Sequence, residues 1–143
     1  MTKKEVKSIV NEVYPLIKKY YGKSKYFDNF PSVKYHHNIY ARITGEENME
    51  GEISPSGEFE RETNTIWIYY PKAIDDKWVI QTLLHEYTHY LQDADEMKRL
   101  YDEEGYEYNN HPFELEAISE ESNWEMFKKF QINATINKSY GRK

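Results

Sequence analysis

The chain contains no cysteine. That absence removes disulfides, thiol catalysis and every cysteine-ligated zinc site together, and leaves histidine, aspartate and glutamate as the possible metal ligands. Long apolar runs are missing too, since no stretch approaches the ~20 residues of a membrane-spanning helix. The opening Met1-Thr2-Lys3-Lys4-Glu5 leads into an amphipathic run, not an apolar signal segment. A soluble, cytoplasmic protein with no membrane partner is the expectation. Positive charge is scarce: 19 Lys and Arg stand against 25 Asp and Glu, a net charge of −6. That balance excludes a nucleic-acid binder working by bulk electrostatics. Repeats, low-complexity tracts and linkers are absent as well.

What is present suits one domain over residues 1–143, long enough to bury a core without cross-links. Hydrophobic residues make up 38% and charged residues 31%, which predicts a compact core under a very polar surface. Fourteen tyrosines offset the shortage of aliphatic residues, because each can pack its ring while its hydroxyl reaches water or a partner.

In chain order, Val6, Ile9, Val10, Val13, Leu16, Ile17, Tyr20 and Tyr21 fall on one helical face. Thr2 and Glu5 fit a capping box and Gly22 a helix end, while Pro15 predicts a kink or break near Tyr14. Residues 23–34 read as a loop, and residues 35–44 as a strand in which Ile39, Ala41 and Ile43 alternate with polar neighbours. A turn at 45–48, a short strand at 50–54 and a turn at Pro55-Ser56-Gly57 follow. Residues 57–62 and 65–70 read as a hairpin joined near Thr63-Asn64. From about 75 to about 100 there is no Gly or Pro, and the run reads as one helix capped by Asp75 or Asp76. Residues 102–110 are acidic and irregular. His111-Pro112 then opens a helix over about 113–130, with Leu115, Ile118, Trp124, Phe127 and Phe130 as its apolar contributors. The polar tail from 133 to 143 is expected to fray. The fold class is α+β, with a small antiparallel or mixed sheet.

The chemistry centres on His85-Glu86-Tyr87-Thr88-His89. Two histidines four apart on a helix point the same way, so their imidazoles can take two corners of a tetrahedral zinc site. Glu86 lies beside them, placed to take a proton from a metal-bound water. The alternative is a pair of helix-surface histidines flanking an acid. A third ligand decides between the two readings. In the following helix Glu116 and Glu120 share a face, while Glu114 points about 160° away from Glu116. A metal-binding carboxylate and an outer one that accepts a ligand histidine's other N–H need such an i, i+4 pair. Glu114, Glu121 and Glu125 read as solvated helix surface.

This pair of helices resembles the gluzincin branch of zinc metallopeptidases, the thermolysin-like group. The likeness rests on His85-Glu86-x-x-His89 followed by Glu116-Ala117-Ile118-Ser119-Glu120. It is also similar in pattern to compact single-domain microbial and phage forms, among them the ImmA/IrrE group that cleaves phage-type repressors. The resemblance implies a zincin-like fold and a Zn2+ cofactor held by His85, His89 and Glu116, with Glu86 as general base. Glu120 takes the place of an outer aspartate, which is a departure from the pattern. The segment 65–70 is similar to the edge strand along which such enzymes lay an extended substrate. His111 and Glu114 remain rivals for the third ligand. His111 is also the leading candidate to stabilise an oxyanion, ahead of Tyr101, Tyr106 and Tyr108. His36 and His37 sit on a predicted strand and read as surface residues. The implied activity is hydrolysis of a peptide bond in a protein or peptide substrate. A catalytically silent binding or structural module is the second class.

Overall fold

The computed structural model describes residues 1–44 and 55–140. The turn and short strand expected over 45–54 therefore lie outside the described residues. Helix α1 (Lys3–Tyr21) begins at the expected capping box, where the Thr2 and Glu5 side chains each accept the other's backbone N–H. It ends at Gly22, whose φ of 76° lies in the left-handed region that glycine enters without strain. Its buried face carries Val6, Ile9, Val10, Val13, Tyr14 and Ile17. Pro15, expected to kink or break the helix near Tyr14, does not interrupt it. Proline there removes only the bond to the Asn11 carbonyl, and both residues are exposed, so water can satisfy that oxygen.

Where the sequence reads as a strand over 35–44, the structure has strand β1 (Ser32–His36) followed by a short helix α2 (Ile39–Thr44). A long-range anchor overrides the local alternation. The Arg42 guanidinium binds Glu58 at 2.6 Å, Glu60 at 2.7 Å and the Tyr69 hydroxyl at 3.0 Å, and it lies over the Trp67 ring. The expected hairpin is present as β2 (Gly57–Glu60) and β3 (Thr65–Tyr69), with Asn64 at φ 49° in the turn. The sheet is mixed, in the order β1-β3-β2, with β3 parallel to β1 and antiparallel to β2. The 65–70 segment is therefore the central strand, and β2 is the edge beside the next helix. Cross-strand rows Val33–Ile66–Phe59 and Tyr35–Ile68–Gly57 form the inner face.

The run from 75 to 100 is not one helix but two, α3 (Asp76–Leu91) and α4 (Ala94–Glu103). Asp75 caps α3 through the Trp78 N–H. At its other end, Arg61 from the hairpin donates to the carbonyls of His89 (3.0 Å) and Gln92 (3.2 Å). Asp93 then caps α4 by accepting from Asp95 and Glu96. The split needs no Gly or Pro, because a distant cation takes over carbonyls that would otherwise continue the helix. Helix α5 (Pro112–Glu120) carries proline in its first turn, as expected. A 3-10 turn at Glu121–Asn123 separates it from α6 (Trp124–Tyr140), so the helix expected over 113–130 is also divided. Of the tail expected to fray, 133–140 continue helix α6, and 141–143 lie outside the described residues.

Helix α3 lies at the centre, packed against the sheet, α1, α5 and α6. It buries Val79, Ile80, Leu83, Leu84 and Tyr87 against Ile66, Ile68, the α1 face and Phe127. Tyr14, Tyr87 and Tyr90 bury their rings while their hydroxyls donate to the carbonyls of Pro31, Gly22 and Asn29. This is the dual use that the tyrosine content predicts. Leu115 and Ile118, expected in the core, are each 50% exposed, and α5 buries Glu114 and Ala117 instead. Among the described residues no helix is long and apolar enough to cross a membrane.

The sheet and α3 meet closely at Gly57. A Cβ there would stand 2.7 Å from the Trp67 carbonyl oxygen, 2.8 Å from Thr82 Cγ2 and 3.4 Å from Glu86 Cγ. Because a backbone oxygen cannot swing aside, Gly57→Ala is expected to destabilise the protein by ~1–3 kcal/mol. Denaturant unfolding would show a lowered midpoint.

Candidate metal centre

One turn of α3 places His85 above His89, and their Nε2 atoms stand 3.2 Å apart. Glu114, buried near the start of α5, closes the group with one carboxylate oxygen 2.7 Å from His85 Nε2 and the other 3.0 Å from His89 Nε2. These are the His, Asp and Glu side chains among the described residues that converge closely enough to hold a metal ion.

The outer hydrogen bonds determine what the group presents. His85 Nδ1 lies 2.9 Å from a Glu121 carboxylate oxygen, which can only accept while ionised, so the neutral ring carries its proton on Nδ1. His89 Nδ1 lies 2.7 Å from Gln92 Oε1. The Gln92 amide is oriented by its Nε2, which donates to Phe113 O at 2.8 Å and to Glu116 at 3.2 Å. The oxygen therefore faces His89 and accepts its Nδ1–H. Both rings then turn bare Nε2 lone pairs toward an acceptor-only carboxylate. Three acceptors about 3 Å apart repel unless a cation sits among them, and ligands ~2.0–2.1 Å from a tetrahedral ion lie about 3.3 Å apart. The group fits a metal ion. Without one, a proton substitutes. Burial alone would lower the His85 pKa, but the Glu114 hydrogen bond, the Glu86 charge and Glu121 together push it up to about 9. Burial would likewise raise Glu114, yet the two histidines hold it well below the usual carboxylate range.

Glu86 stands beside these ligands, 7% exposed, and accepts no hydrogen bond from any described residue. Burial raises its pKa, partly opposed by His85 and His89. It opens into a cavity of about 280 Å³ lined also by Gly57, Trp78, Thr82, Tyr108 and Glu121. Tyr108, in the 3-10 turn Tyr108–Asn110, donates to Glu114 Oε1 at 3.0 Å. Burial and the Glu114 charge raise its phenol pKa, so the hydroxyl remains a donor at neutral pH.

Three expected placements are corrected. Glu116 does not join the histidines but supports them through Gln92. Helix α5 turns its 114, 117 and 121 positions inward, and Glu116 lies on its exposed side. Glu120 accepts from Tyr21 (2.7 Å) and Asn123 (2.8 Å), far from either ligand's Nδ1, and Glu121 fills the outer role on His85. His111 lies outside the cavity lining. It caps α5 by accepting the Phe113 N–H at 3.1 Å, its Nε2 binds Met97 O at 3.0 Å, and its ring stacks on Tyr101. Both of its nitrogens are committed to joining α4 to α5. His36 and His37 do not join the group; His36 ends β1 half-buried against Trp67, and His37 lies exposed just past the strand. The i, i+3, i+7 spacing of Glu114, Ala117 and Glu121 was the available signal for the true inward face.

The chain matches no protein-family model, no curated protein and no solved structure. If Glu114 is the third ligand, Glu114→Ala loses stoichiometric divalent metal after dialysis, whereas Glu116→Ala retains it with affinity weakened no more than ~10-fold. Metal analysis and titration calorimetry on the two variants measure the difference.

Proposed function

We propose that the chain is a zinc-dependent hydrolase of peptide bonds on a zincin-like fold. The observation that carries this reading is the set of three acceptor atoms from His85, His89 and Glu114, with Glu86 unpartnered and facing the adjoining cavity. Two histidines and one carboxylate, with no cysteine in the chain, are a donor set that suits catalytic zinc. When bound there, zinc supplies a Lewis acid that acidifies water and polarises a carbonyl. The residues do the rest. Glu86, its basicity raised by burial, accepts the proton of the attacking water and returns it to the leaving amine. Glu121 and Gln92 hold the two imidazoles in register. Tyr108, with its proton retained at the cavity wall, would donate to the developing oxyanion once its single O–H turns from Glu114 to the substrate.

A peptide fits this site better than a compact substrate because an edge strand borders it. Tyr69 N–H donates to Ser56 O at 3.0 Å, which sets the phase of the antiparallel ladder. Glu58 and Glu60 then bond inward to β3, and Gly57 and Phe59 turn their N–H and C=O groups outward. An extended chain can pair with those groups while passing Glu86. A module that bound metal only for structure would need the ligands but not a buried carboxylate aimed at an open cavity.

Glu86→Gln should retain zinc and lose ~10²–10⁴-fold of hydrolysis of an unstructured protein substrate. Zinc retention with unchanged activity would refute the assignment. Tyr108→Phe should lower kcat by up to ~10²-fold with KM nearly unchanged. Since His85 holds a proton up to about 9 in the metal-free site, zinc uptake at pH 7 should release about one proton. Calorimetry in buffers of different ionisation enthalpy reads that release directly.

A further inference from the structure

The other edge of the sheet carries a second surface, on the α1 side of the molecule. A groove of about 630 Å³ runs between α1 and β1. Tyr14 of α1 donates to Pro31 O at one end, and Lys7 lies over the Tyr35 ring further along, so helix and strand flank the groove in opposite directions. Ser32 N–H donates to Asn64 O at 3.1 Å, which sets the phase of the parallel pairing. Ser32, Lys34 and His36 then bond to β3, while Val33 and Tyr35 turn their N–H and C=O groups into the groove. No described strand pairs with that edge.

The charge of the groove opposes that of the chain. The net charge is −6, yet the lining holds Lys3, Lys7 and Lys34 and no carboxylate. All three lysines are exposed and form no ion pair with any described residue. Lys3 and Lys7 are one helical turn apart, ~6 Å along the axis. Alternate side chains of an extended peptide repeat every ~6.6 Å, close to that spacing.

We propose that this groove takes an acidic, extended segment of a partner protein as an added strand along β1. Backbone bonds go to Val33 and Tyr35, alternate carboxylates meet Lys3 and Lys7, and Lys34, over the Trp67 ring on the other face of the sheet, adds to the positive charge at the edge. The reading is independent of the metal centre.

The probe is a fluorescein-labelled seven-residue peptide alternating Glu and Val. Its anisotropy is followed with the full metal-loaded chain carrying Glu86→Gln, so that hydrolysis cannot intervene. Saturable binding is expected. It should weaken at least tenfold when Lys7→Glu and Lys34→Glu are combined, and at least tenfold when alternate peptide nitrogens are methylated. The Lys-for-Glu version of the peptide should not bind. Circular dichroism checks that the substitutions leave the fold intact, and Lys7→Ala with Lys34→Ala gives a milder pair with the same expected direction. Absence of saturable binding would overturn the proposal and leave the lysines as guards against edge-to-edge aggregation. Equal affinity for the N-methylated peptide, or for an oligothymidylate of similar charge, would also overturn it, by reducing the groove to a general polyanion surface.

Discussion

The constraint on which the structure depends is the mutual repulsion of three acceptor atoms. His85 Nε2, His89 Nε2 and the Glu114 carboxylate lie about 3 Å from one another, and each is oriented by a bond on its far side or by its burial. Such a cluster persists only if a cation neutralises it and the scaffold resists splaying. Many local features serve the second need. Arg61 closes α3 just past His89, Gln92 at that terminus reaches both His89 and α5, and Asp93 starts a new helix in another direction. The end of α3 is thereby tied to the hairpin on one side and to α5 on the other. His111 performs a similar service at the start of α5, joining it to α4 and setting the turn from which Glu114 projects.

Glu86 illustrates how closely packing and chemistry are linked. A carboxylate removed from water resists ionisation, and only nearby positive charge returns it toward its usual range. The extent of burial is set by Gly57, whose missing side chain allows the sheet to approach the Glu86 stem. One glycine at the start of an edge strand thus lets the sheet close on α3 beside Glu86.

Much of this was legible in the sequence wherever the cause was local. The Thr2–Glu5 cap, the Gly22 stop, the hairpin around Asn64, the Asp75 cap and the paired histidines all depend on residues within a few positions of one another. The failures share a different origin. Beside Gln92 only Asp93 signals a new helix start, and the group that closes α3 is Arg61, some thirty positions earlier. Ile39, Ala41 and Ile43 alternate like a strand, yet Arg42 finds its partners on β2 and β3. For α5, hydrophobicity pointed to Leu115 and Ile118 as the inner face. The structure turns Glu114, Ala117 and Glu121 inward, where Glu114 and Glu121 bond the buried histidine pair, so polar side chains take the inner face. A rule that places apolar residues inside misleads at just such a site. That single rotation accounts for the exchange of Glu116 for Glu114 and of Glu120 for Glu121.

The same logic extends to the two sheet edges. A three-stranded sheet exposes two rows of unpaired backbone groups, and each is a liability unless covered, charged or used. At β2 the edge begins at Gly57, which lines the cavity that holds Glu86. At β1 the outward groups of Val33 and Tyr35 lie beneath lysines that a strongly acidic chain has concentrated in one groove. Two copies meeting edge to edge would set the same lysines against each other, so the charge opposes self-pairing while it attracts an acidic strand.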